Sequence, residues 1–92
     1  MAIERKDTAE KIVHIIAEKL NIDSSRVTEQ STLQDLGADS LDMVEIIMKI
    51  EETFTVEIDD AQAEKFENVG DVIDYVQSLR LKASSWKIKT AF

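Results

Sequence analysis

The 92-residue chain contains no cysteine, no proline and only two glycines, Gly37 and Gly70. Without cysteine there is no disulfide staple, no thiol nucleophile and no thiolate metal ligand. The scarcity of glycine and proline leaves few residues for the tight turns that join antiparallel strands, which argues against an all-β fold. A single histidine, His14, removes the imidazole clusters that zinc sites and Ser–His–Asp triads need. No glycine-rich phosphate loop is present, and the many carboxylates do not follow the spacing of an EF-hand loop. Nor does the N-terminus show the apolar run of a secretion signal, and no segment approaches the length of a membrane span. A cytoplasmic location is the expectation. An organelle transit peptide, once removed, would leave no trace.

What is present is acid. Nineteen Asp and Glu against eleven Lys and Arg give a formal net charge of −8, and 33% of residues are charged. That charge repels nucleic acid phosphates and anionic membranes and favours basic protein partners. It is unevenly spread. Residues 35–74 hold thirteen acids against Lys49 and Lys65, a local balance of −11, whereas residues 75–92 hold four bases and no acid.

Hydrophobic periodicity predicts helices. Over residues 8–20, Ala9, Ile12, Val13, Ile16 and Leu20 form one apolar arc, with Asp7 at the expected N-cap position and Glu10 completing a variant capping box. His14 lies well away from that arc, on the side expected to face solvent. Residues 21–38 lack a period and form a long loop pinned by Val27, Leu33 and Leu36. A second helix is expected from Asp39 and Ser40 to about Thr53, and a short third one over residues 59–66. Asn68 caps a fourth, with Val69, Val72, Ile73, Val76 and Leu79 on one face and Tyr75 at its margin. Residues 54–58 have β character but nothing to pair with, so they read as a connector. The expected fold is an all-α, small four-helix bundle: three longer helices, one short helix, and a long loop between helices one and two. One domain would occupy residues 1–82, and residues 83–92 form a basic C-terminal tail of undecided structure and role. Nothing in the chain calls for an oligomer, so a monomer is expected.

The second helix carries more apolar surface than a bundle needs. Met43, Ile46, Ile47, Ile50 and Phe54 make a core stripe. Leu41, Val44 and Met48 make a second stripe whose edge lies about 60° from the first, flanked by Glu45, Glu51 and Glu52. Such a stripe either packs beneath the loop or is an exposed, carboxylate-rimmed docking surface for a basic partner. Ser40, at the first turn, likewise allows two readings. Ser at a helix start is a common cap; a phosphate ester at the same place would meet backbone N–H groups and the positive end of the helix dipole.

These residues carry a resemblance. Leu36-Gly37-Ala38-Asp39-Ser40-Leu41-Asp42, followed by Val44-Glu45, Glu51-Glu52, Phe54, Ile58, Ala63-Glu64-Lys65 and Val72-Ile73-Asp74-Tyr75-Val76, is similar to the signature of acyl carrier proteins of fatty acid synthesis. The resemblance covers roughly residues 8–80. It implies a non-catalytic carrier in which Ser40 receives 4′-phosphopantetheine from coenzyme A, by the action of a phosphopantetheinyl transferase. Acyl chains would ride as thioesters on the arm's thiol, which explains how a thioester carrier can lack cysteine. It further implies partner recognition by Asp39, Leu41, Asp42, Val44, Glu45, Met48 and Glu52, through basic patches on fatty acid synthesis enzymes. An acyl cavity is implied near Met43, Ile58, Ala63, Phe66 and Tyr75. No metal site is expected. The family often has proline where this chain has Asp59, so the short third helix should be less firmly set, and the tail lies outside the pattern. Two alternatives stand beside this reading: a carrier for a polyketide or other specialised acyl pathway, and a cofactor-free acidic helical adaptor.

Overall fold

The computed structural model describes the backbone of residues 4–90 and side chains as far as residue 82. Four helices follow in order: α1 (Arg5–Leu20), α2 (Ser40–Phe54), α3 (Asp60–Ala63) and α4 (Val69–Thr90), with a single 3₁₀ turn at Ser24–Arg26 in the long loop. Three long helices and a short one match the sequence expectation.

The core is built from branched aliphatics at helical spacing. Ile12 and Ile16 of α1, Ile46 and Ile50 of α2, and Val69, Val72, Ile73 and Val76 of α4 are at most 1% exposed. Burial of such side chains is worth roughly 1.5–3 kcal/mol each and drives the assembly. The loop contributes Val27 and Leu33, both buried, and the connector contributes Ile58. The backbone of the loop is stitched to the start of α4. There the N–H groups of Val69 and Gly70 donate to the carbonyls of Ser31 and Glu29, each at 2.9 Å. Those are two of the donors that a helix N-terminus leaves unsatisfied. Gly70 suits the place because a Cβ would sit 3.2 Å from the Glu29 carbonyl oxygen.

Two arginines join distant segments. Arg5 reaches Glu29 with both terminal nitrogens (2.9 and 2.7 Å) and Asp74 with Nε (2.7 Å), tying α1, loop and α4 together. Arg80 donates to Asp7 (3.0 Å) and to Thr8 Oγ1 (2.8 Å), and its guanidinium lies 4.9 Å from the centre of the Phe54 ring. Asp7 is therefore not the N-cap expected from sequence. Glu4 holds that position without a side-chain hydrogen bond, and α1 begins earlier because Asp7 is engaged by Arg80 and Lys11. The third helix is also shorter than expected, four residues instead of eight. Its N-cap residue Asp59 makes no side-chain cap bond, and a single turn barely covers the cost of nucleation.

The helix ends are local. Asn21 closes α1 in the left-handed region (φ 56°), a conformation Asn tolerates. Thr55 closes α2 in the same region (φ 55°) although it is β-branched. From there Ile58 N–H donates to Glu51 Oε2 at 2.8 Å, which holds the connector against α2. The region with β character forms no strand.

Candidate functional site

Gly37, at φ +95°, turns the chain into α2. No atom would touch an added Cβ there, so glycine is required by backbone conformation and not by space. The Gly37 and Ala38 N–H groups close the turn on Gln34 O (3.0 Å) and Leu33 O (2.9 Å). The next residue, Asp39, is the N-cap of α2: its Oδ1 accepts the Asp42 N–H at 2.8 Å, and Asp42 Oδ2 accepts the Asp39 N–H at 3.3 Å. This reciprocal pair is a capping box made of two aspartates.

Ser40 is consequently the first residue of the helix, not its cap. The residue is exposed, and its hydroxyl has no hydrogen-bond partner among the described residues. With Asp39 and Asp42 serving the cap, the stability of the helix start does not call on the Ser40 Oγ. The N–H groups of Ser40 and Leu41 likewise have no backbone acceptor, since each is too early in the helix to have one. A phosphodiester on Oγ would find those two donors and the positive helix end beside it.

The second apolar stripe of α2 does not pack beneath the loop. Leu41, Val44 and Met48 are 65%, 56% and 54% exposed, in contrast to the buried Ile46 and Ile50 one face away. Around the stripe the carboxylates do different work. Glu52 is exposed and unpaired among the described residues; Glu45 is half-buried and forms an ion pair with Lys19 of α1. Glu51 is engaged by the connector. Between α1 and α2 runs an open groove of about 980 Å³, whose walls include Ile15, Glu18, Glu45, Met48 and Glu52. His14 stands on the α1 wall, exposed, 2.8 Å from Glu18.

A second cavity of about 320 Å³ opens where the long loop meets α2 and the approach to α4, lined by Thr32, Leu33, Gln34, Met43, Phe66, Glu67 and Asn68. Of the five residues expected near an acyl cavity, Met43 and Phe66 line it. Tyr75 packs behind, its ring 5.6 Å from that of Phe66, whereas Ile58 is buried in the core and Ala63 half-buried at its edge. Sequence reasoning passed over the loop wall of this cavity and the Lys19–Glu45 pair. Both join segments far apart in the chain, and no local pattern signals them.

Residues 10–76 match the family model described as the phosphopantetheine attachment site. The chain is 55% identical over 73 residues to an acyl carrier protein of Helicobacter pylori, covering 78% of this chain and 94% of that one. The chain belongs to the acyl carrier protein family. It is also 47% identical over 74 residues to an acyl carrier protein of Thermotoga maritima, covering 79% and 91% of the two chains. A solved structure of the acyl carrier protein from Enterococcus faecalis superposes with a TM-score of 0.71 at 36% identity, covering 84% of this chain and 99% of that one. Membership implies a 4′-phosphopantetheine prosthetic group and a carrier that does no catalysis of its own. Among the described residues no helix is long and apolar enough to cross a membrane.

Proposed function

We propose that Ser40 Oγ is the attachment point of 4′-phosphopantetheine and that the chain shuttles acyl groups to enzymes of fatty acid synthesis. The observation that carries this reading is the division of labour at the start of α2. Asp39 and Asp42 cap the helix, which leaves an exposed serine hydroxyl beside two unsatisfied backbone donors. The group, when bound, supplies a thiol that holds the acyl chain as a thioester. The protein's part is to hold the ester at the helix start, present a docking face and shelter the cargo.

The docking face is Leu41, Val44 and Met48 with Asp39, Asp42, Glu45 and Glu52. Exposed apolar contact holds a partner briefly, and the surrounding carboxylates steer basic patches on the phosphopantetheinyl transferase and the synthesis enzymes. Met48 suits a surface that meets several partners, because its side chain repacks readily. Met43 and Phe66 line the cavity that would receive an acyl chain, with Tyr75, Ile58 and Ala63 behind or beside it. The cytoplasm is the proposed location, and residues 1–82 the carrier domain.

The test is intact mass before and after incubation with coenzyme A, magnesium and a broad-specificity phosphopantetheinyl transferase. A gain of one phosphopantetheine on the parent protein, absent in a folded Ser40→Ala variant, is the expected result. Modification that persists in Ser40→Ala would move the attachment elsewhere. No modification of a folded parent protein would favour the acidic adaptor.

A further inference from the structure

Four carboxylates stand on the α2 docking face, and they are not equally available. Asp39 and Asp42 each accept one backbone N–H in the capping box, bonds that leave their negative charge uncancelled. Glu52 is exposed and has no partner among the described residues. Of the four, only Glu45 is held by a cation among the described residues: Lys19, in the last turn of α1, reaches across to its Oε2. Both residues line the open groove between α1 and α2, together with Met48 of the apolar stripe.

The core places this pair and leaves it free to open. Ile12 and Ile16 of α1 share one core with Ile46 and Ile50 of α2, which fixes the two backbones. The side chains of Lys19 and Glu45 nevertheless remain 39% and 37% exposed, so water reaches the pair and another cation can replace Lys19. When Glu45 is taken, the Lys19 ammonium returns to water at a helix C-terminus, where the dipole still favours positive charge. A lysine meets a carboxylate as a point charge, whereas an arginine can grip both oxygens at once. An arginine is therefore the side chain best fitted to displace it.

We infer that Lys19 is a built-in competitor of the docking partner: it holds Glu45 in the free protein, and a basic side chain of the partner takes its place in the complex. The inference rests on the reading of α2 as a docking face, but not on Ser40 or on the cofactor. A partner that uses Glu45 binds with an apparent affinity reduced by the fraction of time Glu45 is free. Exposed ion pairs are weak, so that reduction is modest, about two- to fivefold. A partner that rests on Glu52 and the apolar stripe alone incurs no such loss. Lys19 thus sets an order of preference among basic partners, and it does so from α1, outside the helix they touch.

The experiment is a binding titration of the full chain at low salt with two probes: a broad-specificity phosphopantetheinyl transferase without coenzyme A, and a hexa-arginine peptide. The parent, Lys19→Met, Glu45→Gln and the double variant form a cycle, each checked by circular dichroism. Lys11→Met removes the same charge from the same groove but frees Asp7 instead, and so reads the effect of net charge alone. Lys19→Met should tighten binding about two- to fivefold, more than Lys11→Met does, and the extra gain should vanish in the Glu45→Gln background. Lys19→Ala serves should the methionine variant not fold. No gain with a probe that binds, a gain equal to that of Lys11→Met, or one that survives Glu45→Gln overturns the inference, even where Ser40 is modified normally. Tightening of the peptide in a chain that the transferase neither binds nor modifies would uphold the competition and overturn the carrier reading instead.

Discussion

Replacing Asp39 by alanine and Ser40 by alanine, one at a time, separates capping from function at the start of α2. Asp39→Ala removes the 2.8 Å bond from the Asp42 N–H and leaves Asp42 Oδ2 with only the longer 3.3 Å half of the box. Loss of an N-cap acceptor costs about 0.5–2 kcal/mol. Here the cost should fall near the middle of that range, about 1 kcal/mol. Removing one carboxylate from the acidic segment relieves some repulsion, while the lost bond is the shorter of the two. For a domain of this size 1 kcal/mol lowers Tm by roughly 4–8 °C. Ser40→Ala removes a hydroxyl that bonds nothing and installs the best helix former, so its effect should lie within ~0.5 kcal/mol of zero and on the stabilising side. Urea unfolding followed by circular dichroism at 222 nm reads both. If Ser40→Ala destabilises as much as Asp39→Ala, Ser40 is part of the cap, and the claim that its hydroxyl has no structural task fails.

Three further outcomes are expected. The Arg80 and Lys11 cations hold the Asp7 carboxyl below its usual pKa, and Arg5 does the same for Glu29. The folded state therefore prefers both groups ionised: their contribution is full above the ordinary carboxylate range and is lost progressively as pH falls from that range through the lowered folded-state pKa. Stability measured in urea from pH 6 to pH 3 should decline, and Arg5→Gln should flatten the part of that decline due to Glu29. An identical pH profile for the variant would refute the assignment. Thr55→Gly relieves a β-branched residue held at φ 55°, worth ~1–2 kcal/mol, against ~0.5–1 kcal/mol of added chain entropy; a small rise in Tm is expected, and a fall would show that the Thr55 side chain does unrecognised work. Gly70→Ala forces a Cβ to 3.2 Å from the Glu29 carbonyl that accepts the Gly70 N–H, so it should destabilise by roughly 1 kcal/mol despite better helix propensity. An unchanged urea midpoint would mean that the loop gives way freely.

The elements that sequence shows well are those stated locally. Ile12 and Ile16, Ile46 and Ile50, and Val69, Val72, Ile73 and Val76 announce three helix faces by spacing alone, and all are buried. The second stripe of α2 was also legible, because a helix with two apolar lines in a small bundle has one line too many. Whether that line packs or faces solvent is a tertiary question. The start of α1 was misread because Asp7 fits a cap pattern locally but is claimed by Arg80, 73 residues away. Ser40 shows the same limit in reverse. Two neighbouring residues that can both cap are indistinguishable in sequence, and the Asp42 N–H decides between them in favour of Asp39. The resemblance, not periodicity, pointed to Ser40 as a modification site.

The distribution of charge pairs bears on stability as well as docking. Arg5, Lys11, Lys19 and Arg80 are each committed to a carboxylate, and all four stand on α1 or α4. Only Lys49 and Lys65 lie within residues 35–74, where thirteen acids are carried. Two like charges 10 Å apart in water repel by ~0.4 kcal/mol. A compact segment with −11 contains tens of such pairs, which the unfolded chain spreads further apart. The committed bridges are few and largely exposed, and exposed ion pairs contribute little. Salt screens both, but the repulsions outnumber the bridges, so the net effect of added salt should be stabilising. Tm should rise between about 0.02 and 0.3 M sodium chloride, where the Debye length shrinks from beyond 20 Å to below 10 Å. The same salt should slow association with a basic partner enzyme, because the field that strains the fold is the one that steers the encounter. A Tm that falls with salt would show the bridges to dominate, and the acidic face would then be better compensated than its composition implies.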